Sequence, residues 1–224
     1  VVRLIKSFED ASYQTRKPRT VKGSQAPTFI IGFPRSGTTL LDTILRSHPM
    51  IGVIEEKPIV DTVVANLSDI VDHRSITGLS KNTLDSLKEI YIAELEKLSS
   101  NYKSKKVIVD KFPLNLIHAP LINRIFPDAK FILMLRHPCD CVLSCFMQNF
   151  ELNEAMVNFL DLNTTAKLYS HIMELWSVYS KNINMNLEIV KYEDLIYDLE
   201  GTSKRIIKFL DLRWERKMLE FYKT

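Results

Sequence analysis

The sequence predicts an α/β domain in which helices flank both faces of a central parallel sheet, giving a three-layer sandwich. Three observations support this fold class. Short apolar or β-branched runs alternate with helix-length segments, and the runs are typical of strands buried on both faces. The 224 residues, 46% hydrophobic and 25% charged, are enough for one domain with a sizeable core. Because ligands of such sheets bind at the carboxyl ends of the strands, we expect the functional residues at that edge.

Each predicted strand is a short run with few polar side chains. In chain order, the strands are TFIIG at 28–32, KVIVD at 106–110, KFILMLR at 130–136 and LEIVKY at 187–192. Helices are predicted between them from apolar residues that recur on one helical face. These helices cover 37–46, 81–102, 113–126, 138–150 and most of 151–181. The last of them should pack beside the sheet, since its apolar residues are in helical register. They are Leu168, Ile172, Leu175, Trp176 and Tyr179.

Charge, hydrophobic runs and cysteine positions limit the partners and the cellular compartment that the sequence predicts. A net charge of +3 is too small to predict nucleic-acid binding by itself. No run reaches the roughly 18 apolar residues of a membrane span, and the amino-terminal stretch is too charged for a signal peptide. Cys139, Cys141 and Cys145 lie too close together for a disulfide framework. We interpret them as reduced thiols, which favours a reducing compartment and predicts a cytoplasmic location.

The first strand runs into a phosphate-binding loop. Gly32 and Gly37 are spaced as G-x-x-x-x-G, and Thr38 and Thr39 open the next helix. Glycine lets the backbone approach a phosphate, while successive N–H groups and the helix N-terminus attract its charge. The usual motif continues with a lysine that binds the β- and γ-phosphates of a nucleoside triphosphate, but Thr38 stands at that position. The sequence therefore predicts a P-loop-type sandwich whose ligand does not need that lysine.

Further polar and cationic side chains follow the other predicted strands. Lys111 comes directly after the second strand, Arg136 ends the third, and Ser144 lies about two turns into the next helix. The fourth strand ends in Tyr192. Because the carboxyl ends of parallel strands meet at one edge, we expect Lys111 and Arg136 to converge with Arg35 of the loop.

Four segments together resemble a known enzyme family. They are PRSGTTLLDTILRSHPMIGVIEEKP, VDKFP, FPDAKFILMLRHPCDCVLSCF and VKYEDLIYDLEGTSKRIIKFLDL, which span most of residues 28–212. In their order and spacing the chain resembles the sulfotransferases that use 3′-phosphoadenosine 5′-phosphosulfate (PAPS) as donor. The resemblance is to the tyrosylprotein sulfotransferase-like branch, which includes bacterial tetratricopeptide-repeat sulfotransferases. PRSGTT combined with an Arg…Ser element roughly 100 residues later makes the match specific.

The resemblance implies which residues bind the donor. In the family the PRSGTT loop cradles the 5′-phosphosulfate, and the matching residues are Arg35, Ser36, Gly37, Thr38 and Thr39. The contacts to the 3′-phosphate fall on Arg136 and Ser144. The tyrosine of the family's YED element falls on Tyr192.

The resemblance also implies the catalytic residues. The base that takes the proton of the acceptor falls on Glu56, where Ile54 replaces the glycine of the family's GEE element. Lys111 and Arg35 would stabilise charge at the transferring and leaving groups.

Several of these residues have a structural alternative. Without the family match, Glu56 would be interpreted as a solvated surface carboxylate. Lys111 could pair with Asp110 and nothing more. A helix serine such as Ser144 commonly bonds its own backbone, and Tyr192 could be a core aromatic.

The resemblance implies transfer of a sulfuryl group from PAPS to a hydroxyl of a protein tyrosine, a sugar or a small molecule. The transfer would be in line and independent of metal, because the phosphosulfate carries less charge than a triphosphate. One alternative is a P-loop phosphotransferase that uses Asp110 and Mg²⁺, although the missing loop lysine counts against it. Another is a module that binds adenosine 3′,5′-bisphosphate without turnover.

The chain is predicted to divide near residue 27. Residues 1–27 are interpreted as a helical or linker segment, a remnant of an upstream repeat domain, and residues 28–224 as the sulfotransferase domain. Family members usually continue beyond the position of Thr224, so we expect this domain to be truncated at its C-terminus. The expected partners are the nucleotide donor and a hydroxyl acceptor, with no nucleic acid and no membrane span.

Overall fold

Five parallel strands form the centre of the molecule. The computed structural model describes residues 1–9, 26–67, 76–98, 104–151, 153 and 155–223. The strands are β1 (Thr28–Gly32), β2 (Ile51–Glu55), β3 (Val107–Lys111), β4 (Lys130–Leu135) and β5 (Asn186–Lys191). They lie in the order β2-β3-β1-β4-β5, and every neighbouring pair is parallel.

Helices cover both faces of this sheet. The α-helices are α1 (Val2–Glu9), α2 (Thr38–Arg46), α3 (Ile59–Ala65), α4 (Lys81–Leu98), α5 (Ala119–Ile125), α6 (Pro138–Phe146), α7 (Leu162–Asn182), α8 (Tyr192–Tyr197) and α9 (Leu199–Phe209). Short 3₁₀ helices span Pro113–Leu116, Met156–Leu160 and Arg216–Lys223. Within the described ranges, no helix combines the length and apolar character that crossing a membrane requires.

The two faces of the sheet have separate cores. On the central strand β1, Phe29 and Ile31 join one core with residues of α4, α5 and α7. Ile30 points the other way and joins a second core with residues of α2 and α9. All five residues of β1 are buried, because side chains alternate between the two helical layers. The predicted three-layer α/β sandwich is therefore confirmed.

The four predicted strands are confirmed, with ends that differ by at most one residue. The strand β2 was not predicted. Its run is short, contains Gly52 and ends in Glu55. It lies at an edge of the sheet, where a strand need not be continuously apolar, so its sequence lacks the pattern of the buried strands.

The predicted helices form, with differences in extent. The helix predicted at 138–150 ends at Phe146, a 3₁₀ helix precedes α7 within the stretch 151–181, and α3, α8 and α9 were not predicted. The segment 113–126, predicted as one helix, forms a 3₁₀ turn and then α5, each with a proline in its first turn. Proline suits the first turn of a helix and interrupts its interior, which explains the division. The predicted packing of the helix within 151–181 is confirmed, since its apolar face is buried in the core. In the predicted linker 1–27, α1 forms, while 10–25 lie outside the described residues, as do 99–102 of the helix predicted at 81–102.

The strand order positions the site. β1 lies where the order reverses, with β2 and β3 on one side and β4 and β5 on the other. Ligands bind at such a reversal, outside the carboxyl ends of the strands. The residues predicted from the strand ends therefore lie around the carboxyl end of β1.

Candidate active site

The segment between β1 and α2 is a tight loop whose path depends on two glycines. Arg35 and Gly37 have φ angles of 67° and 98°, in the left-handed region. A Cβ atom at Gly37 would lie 2.4 Å from a ring carbon of Tyr192, so a side chain does not fit there. A Cβ atom at Gly32 would lie 2.7 Å from the backbone oxygen of Met134. Close packing of both glycines therefore fixes the loop.

The loop and the start of α2 have the geometry of an anion-binding site. α2 begins directly after Gly37, so the N–H groups of its first turn lie at the carboxyl edge of the sheet. The side chain of Ser36 is buried, and its Oγ has no hydrogen-bond partner among the described residues. An unpaired buried hydroxyl costs free energy, so an anion held in the loop would supply the missing partner. Thr38 is buried beside it, and Thr39 is exposed.

Two arginines and a serine meet beside the loop. Nε of Arg35 donates a hydrogen bond to Oγ of Ser144 on α6 over 3.0 Å. Nη1 of Arg136 donates to the backbone oxygen of Arg35 over 3.3 Å, and its guanidinium lies 4.5 Å from the centroid of the Tyr192 ring. Nε of Arg136 is buried and has no partner in the described part of the chain. The residues predicted to bind the 3′-phosphate thus lie next to the loop.

Lys111 is fully buried and bound by carboxylates. Its Nζ donates to Oε1 of Glu56 over 2.8 Å and to Oε1 of Glu55 over 3.0 Å, and it lies 3.9 Å from Oδ2 of Asp42. The hydrogen bond from Lys111 holds the pKa of Glu55 below its usual range. The ion pairs that Lys111 makes with described residues are with these carboxylates and not with Asp110.

A local turn lets two consecutive glutamates reach the same ammonium. Consecutive side chains of a strand point to opposite faces, so Glu55 and Glu56 would diverge if β2 continued. Glu55 lies opposite Lys111 in the register of β2 and β3. Glu56 then leaves the strand with a φ angle of 47°, and its N–H donates to the backbone oxygen of Lys111 over 2.8 Å. This turn returns the Glu56 side chain to the side of Lys111.

Asp110 lies on the other face of the sheet. Its side chain is fully buried, and the hydroxyl of Tyr91 on α4 donates to Oδ2 over 2.8 Å. Burial raises the pKa of Asp110 to about 7. The hydrogen bond from Tyr91 lowers this pKa, and the negative charge of Asp61 raises it further. The phosphotransferase alternative needs Asp110 at the phosphate loop. The structure instead directs this carboxyl into the core, so that alternative is not favoured.

The site opens as a cleft of about 470 Å³ at the carboxyl edge. The predicted residues in its wall are Arg35, Gly37, Thr38, Thr39, Glu56, Arg136 and Tyr192. Ser36, Ser144 and Lys111 lie behind the wall, each adjacent or hydrogen-bonded to a residue that lines it. The structure therefore brings together all of the predicted site residues, although Lys111 reaches the cleft only through its carboxylate partners.

Sequence reasoning missed two parts of this site. One is the pair of Asp42 and Arg46 on α2, whose side chains bind each other and whose spacing of four residues could have indicated that contact. The other is an apolar wall of the same cleft. It consists of Phe112, Leu114, Phe150 and Met156. Nothing in the local pattern distinguishes these residues from core residues.

Comparison with known proteins identifies the family. A model described as the sulfotransferase family matches residues 27–216. Protein-tyrosine sulfotransferase 2 of Gallus gallus is 28% identical over 205 residues, which cover 85% of this chain and 52% of that protein. The chain therefore spans about half the length of that curated relative.

Two solved structures share the fold. The sulfotransferase domain from the curacin biosynthetic pathway has a TM-score of 0.61 at 18% identity, over 89% of this chain and 79% of that one. A mouse sulfotransferase complexed with PAP has a TM-score of 0.56 at 19% identity, over 98% of this chain and 67% of that one. The match of the family model over residues 27–216 covers most of the sequence and confirms the predicted resemblance. The chain belongs to the sulfotransferase family.

Proposed function

We propose that this chain transfers a sulfuryl group from PAPS to the hydroxyl of an acceptor. One observation carries the proposal. Among the described residues, the buried Oγ of Ser36 in the loop after β1 and the buried Nε of Arg136, which bonds the loop through Nη1, have no hydrogen-bond partner. Buried donors of this kind suit an anionic ligand, whose oxygens would accept hydrogen bonds from them. Family membership and the mouse relative complexed with PAP support a donor of this class.

The loop suits the phosphosulfate end of the donor. N–H groups at the start of α2 and the hydroxyls of Thr38 and Thr39 are available to bind its oxygens. Arg35 adds a cation where charge develops as the sulfur–oxygen bond breaks. PAPS supplies the sulfuryl group and an adenosine 3′,5′-bisphosphate leaving group. The phosphosulfate carries less charge than a triphosphate, which is consistent with Thr38 at the position of the usual lysine.

Arg136 suits the 3′-phosphate. Its guanidinium is held over Tyr192 and keeps one donor, Nε, without a described partner. Arg–phosphate contacts are charge-assisted and strong, so this arginine would distinguish 3′-phosphorylated donors from other adenine nucleotides. Ser144 supports the arrangement through its hydrogen bond with Arg35.

Glu56 is in a position to accept the acceptor's proton. Its side chain is about half exposed, 56%, and lines the cleft. The acceptor oxygen would attack sulfur in line, the bond from sulfur to the bridging oxygen would break, and the proton would pass to the Glu56 carboxylate. A positioned base contributes on the order of 10²–10⁴-fold to the rate.

The acceptor would enter along the apolar wall of Phe112, Leu114, Phe150 and Met156. These apolar side chains suit the carbon skeleton of a hydroxyl compound. Tyrosine in a protein, a sugar and a small molecule are the candidate acceptors. The domain boundary at residue 27, the upstream repeat domain, the continuation beyond Thr224 and the cytoplasmic location stay predictions.

Calorimetric titration tests the donor site directly. The purified chain is titrated with adenosine 3′,5′-bisphosphate, ADP and Mg²⁺-ATP. We expect the bisphosphate to bind without metal and more tightly than the other two. A preference for Mg²⁺-ATP would overturn the proposal.

The variant Arg136→Ala sharpens this test. Loss of a charge-assisted phosphate contact should weaken bisphosphate binding by about 10–100-fold and leave the binding of adenosine 5′-phosphate nearly unchanged. Equal weakening of both ligands would show that Arg136 is structural. Arg205→Met, which removes an arginine ion-paired with Glu188 on β5, is the matched control.

A further inference from the structure

A chain of ion pairs connects α2 to Glu56. Arg46 binds the carboxylate of Asp42 through two nitrogens, and its Nη2 also donates to Oε2 of Glu55 over 3.0 Å. Glu55 binds Lys111 through its other oxygen, Oε1. Lys111 in turn binds Glu56. Glu55 therefore bridges two cations, one on α2 and one on β3.

The charges in this chain do not cancel. Asp42, Glu55 and Glu56 carry three negative charges, while Arg46 and Lys111 carry two positive charges. Asp42 and Lys111 are buried, with side-chain exposures of 2% and 0%, so their charges must be compensated inside the protein. Glu55 and Glu56 are each about half exposed, at 46% and 56%, and both line the cleft. The surplus negative charge therefore lies on these two glutamates at the cleft.

We propose that Arg46 and Glu55 are positioning residues that set the orientation and the protonation of Glu56 through the buried Lys111. Arg46 compensates Asp42 and Glu55, which leaves the ammonium of Lys111 free to hold Glu56. Glu55 has the opposite effect, because it shares that ammonium with Glu56 and adds a like charge beside it.

The two residues should therefore act on Glu56 with opposite signs. Without Arg46, Lys111 alone faces three carboxylates, and the ionised form of Glu56 loses stabilisation. Without the charge of Glu55, Lys111 is shared less and the ionised form gains stabilisation. A role limited to holding the fold together predicts no such reversal of sign.

Other charged groups surround Glu56 and stay constant in this comparison. Among the described residues they include Lys57 next in sequence, Arg35 and Arg136 in the wall of the same cleft, and Asp42 and Lys111 in the chain of ion pairs.

Titration of the Glu56 side chain by carbon-13 NMR tests the proposal. Protein with labelled glutamate carboxylates is titrated with acid, and the Glu56 signal is assigned from its loss in Glu56→Gln. We expect the midpoint of the Glu56 titration to rise in Arg46→Met and to fall in Glu55→Gln, each by about half a pH unit or more. Arg46→Lys, which keeps the charge, should return the midpoint toward that of the wild type.

Two surface variants serve as controls. Arg205→Met and Glu94→Gln each remove one charge from an ion pair on another part of the chain, and they should leave the Glu56 midpoint in place. Midpoints that move in the same direction in Arg46→Met and Glu55→Gln, or that do not move, would overturn the inference.

The consequence for catalysis rests on the proposed function, whereas the titration does not. The same samples are therefore titrated with adenosine 3′,5′-bisphosphate. Failure of the wild type to bind it overturns the proposed function and leaves the NMR result standing. When binding is present, the acid limb of the turnover-against-pH profile should move to higher pH in Arg46→Met and to lower pH in Glu55→Gln.

Discussion

Asp110 and Lys111 are neighbours in β3 and both are fully buried, but their side chains lie on opposite faces of the sheet and contact different residues. Asp110 faces α4, where Tyr91 donates to it and burial raises its pKa to about 7. Lys111 faces α2, where carboxylates surround its ammonium. Only the alternation of side chains along the strand separates them. Burial of an ionisable residue is therefore not a mark of function by itself. Lys111 is tied to the cleft because two of its partners line it.

The largest effect is expected at Lys111. Lys111→Met removes the ammonium that Glu55 and Glu56 share, while both glutamates are exposed enough for water to solvate them. Turnover with an acceptor found by screening phenols, sugars and tyrosine peptides should fall by about 10²–10³-fold. Release of bisphosphate from PAPS, followed by chromatography, measures this loss.

Asp110→Asn is the matched variant on the opposite face, one residue away. It should keep turnover within about threefold of the wild type, because Asp110 does not line the cleft. Comparable losses in Asp110→Asn and Lys111→Met would break the comparison between the two faces.

Asp110 should instead control how stability depends on pH. The pKa of its carboxyl rises from an ordinary 3.8 to about 7 in the folded protein, so between these values the folded state binds a proton that the unfolded state has lost. The contribution of Asp110 to the free energy of unfolding is therefore highest below about pH 4 and declines as the pH rises toward 7. Asp110→Asn removes that decline, and its stability relative to the wild type should improve by roughly 2–4 kcal/mol between pH 4 and pH 8.

Urea unfolding at several pH values checks this expectation. Glu94→Gln, which neutralises an exposed carboxylate on α4, should retain the decline of the wild type. A difference between Asp110→Asn and wild type that is constant with pH would show that Asp110 does not titrate in this range.

The smallest effect is expected at Tyr91. Tyr91→Phe removes the hydroxyl that donates to Asp110 and leaves the ring in its contact with Phe29. Because that hydrogen bond lowers the pKa of Asp110, its loss should extend the decline in stability to higher pH. We expect about 1–2 kcal/mol of destabilisation at pH 8 and less at pH 4, measured by urea unfolding. An equal loss at both values would place the effect in packing rather than in the carboxyl.

Much of the fold could be predicted because its central strands are buried on both faces. β1, β3, β4 and β5 read as apolar runs, and the alternation of strands with helices implied that they are parallel. β2 was not predicted because an edge strand need not be continuously apolar, and this one contains Gly52 and ends in Glu55. That omission mattered, since the register of β2 with β3 sets the partners of Lys111.

The candidate site was predictable where residues follow one another in the chain and not where they meet across it. The glycines and threonines of the loop are recognisable in the sequence from their spacing. The partners of Lys111 depend on strand register and on the positive φ of Glu56, a conformation that a glutamate gives no reason to expect. The apolar wall of the cleft comes from three separate segments, so no local pattern identifies it.

The left-handed φ angles of Arg35 and Glu56 have a consequence for protein engineering. Glycine or asparagine would adopt these φ angles with less backbone strain, so a stability-guided redesign would rank those substitutions highly. Either substitution would remove a charged side chain that lines the cleft. Asp211 shares this backbone conformation, with a φ angle of 56°, but does not line the cleft. Thermostabilising libraries should therefore hold Arg35 and Glu56 fixed and seek their gains on the far side of the sheet.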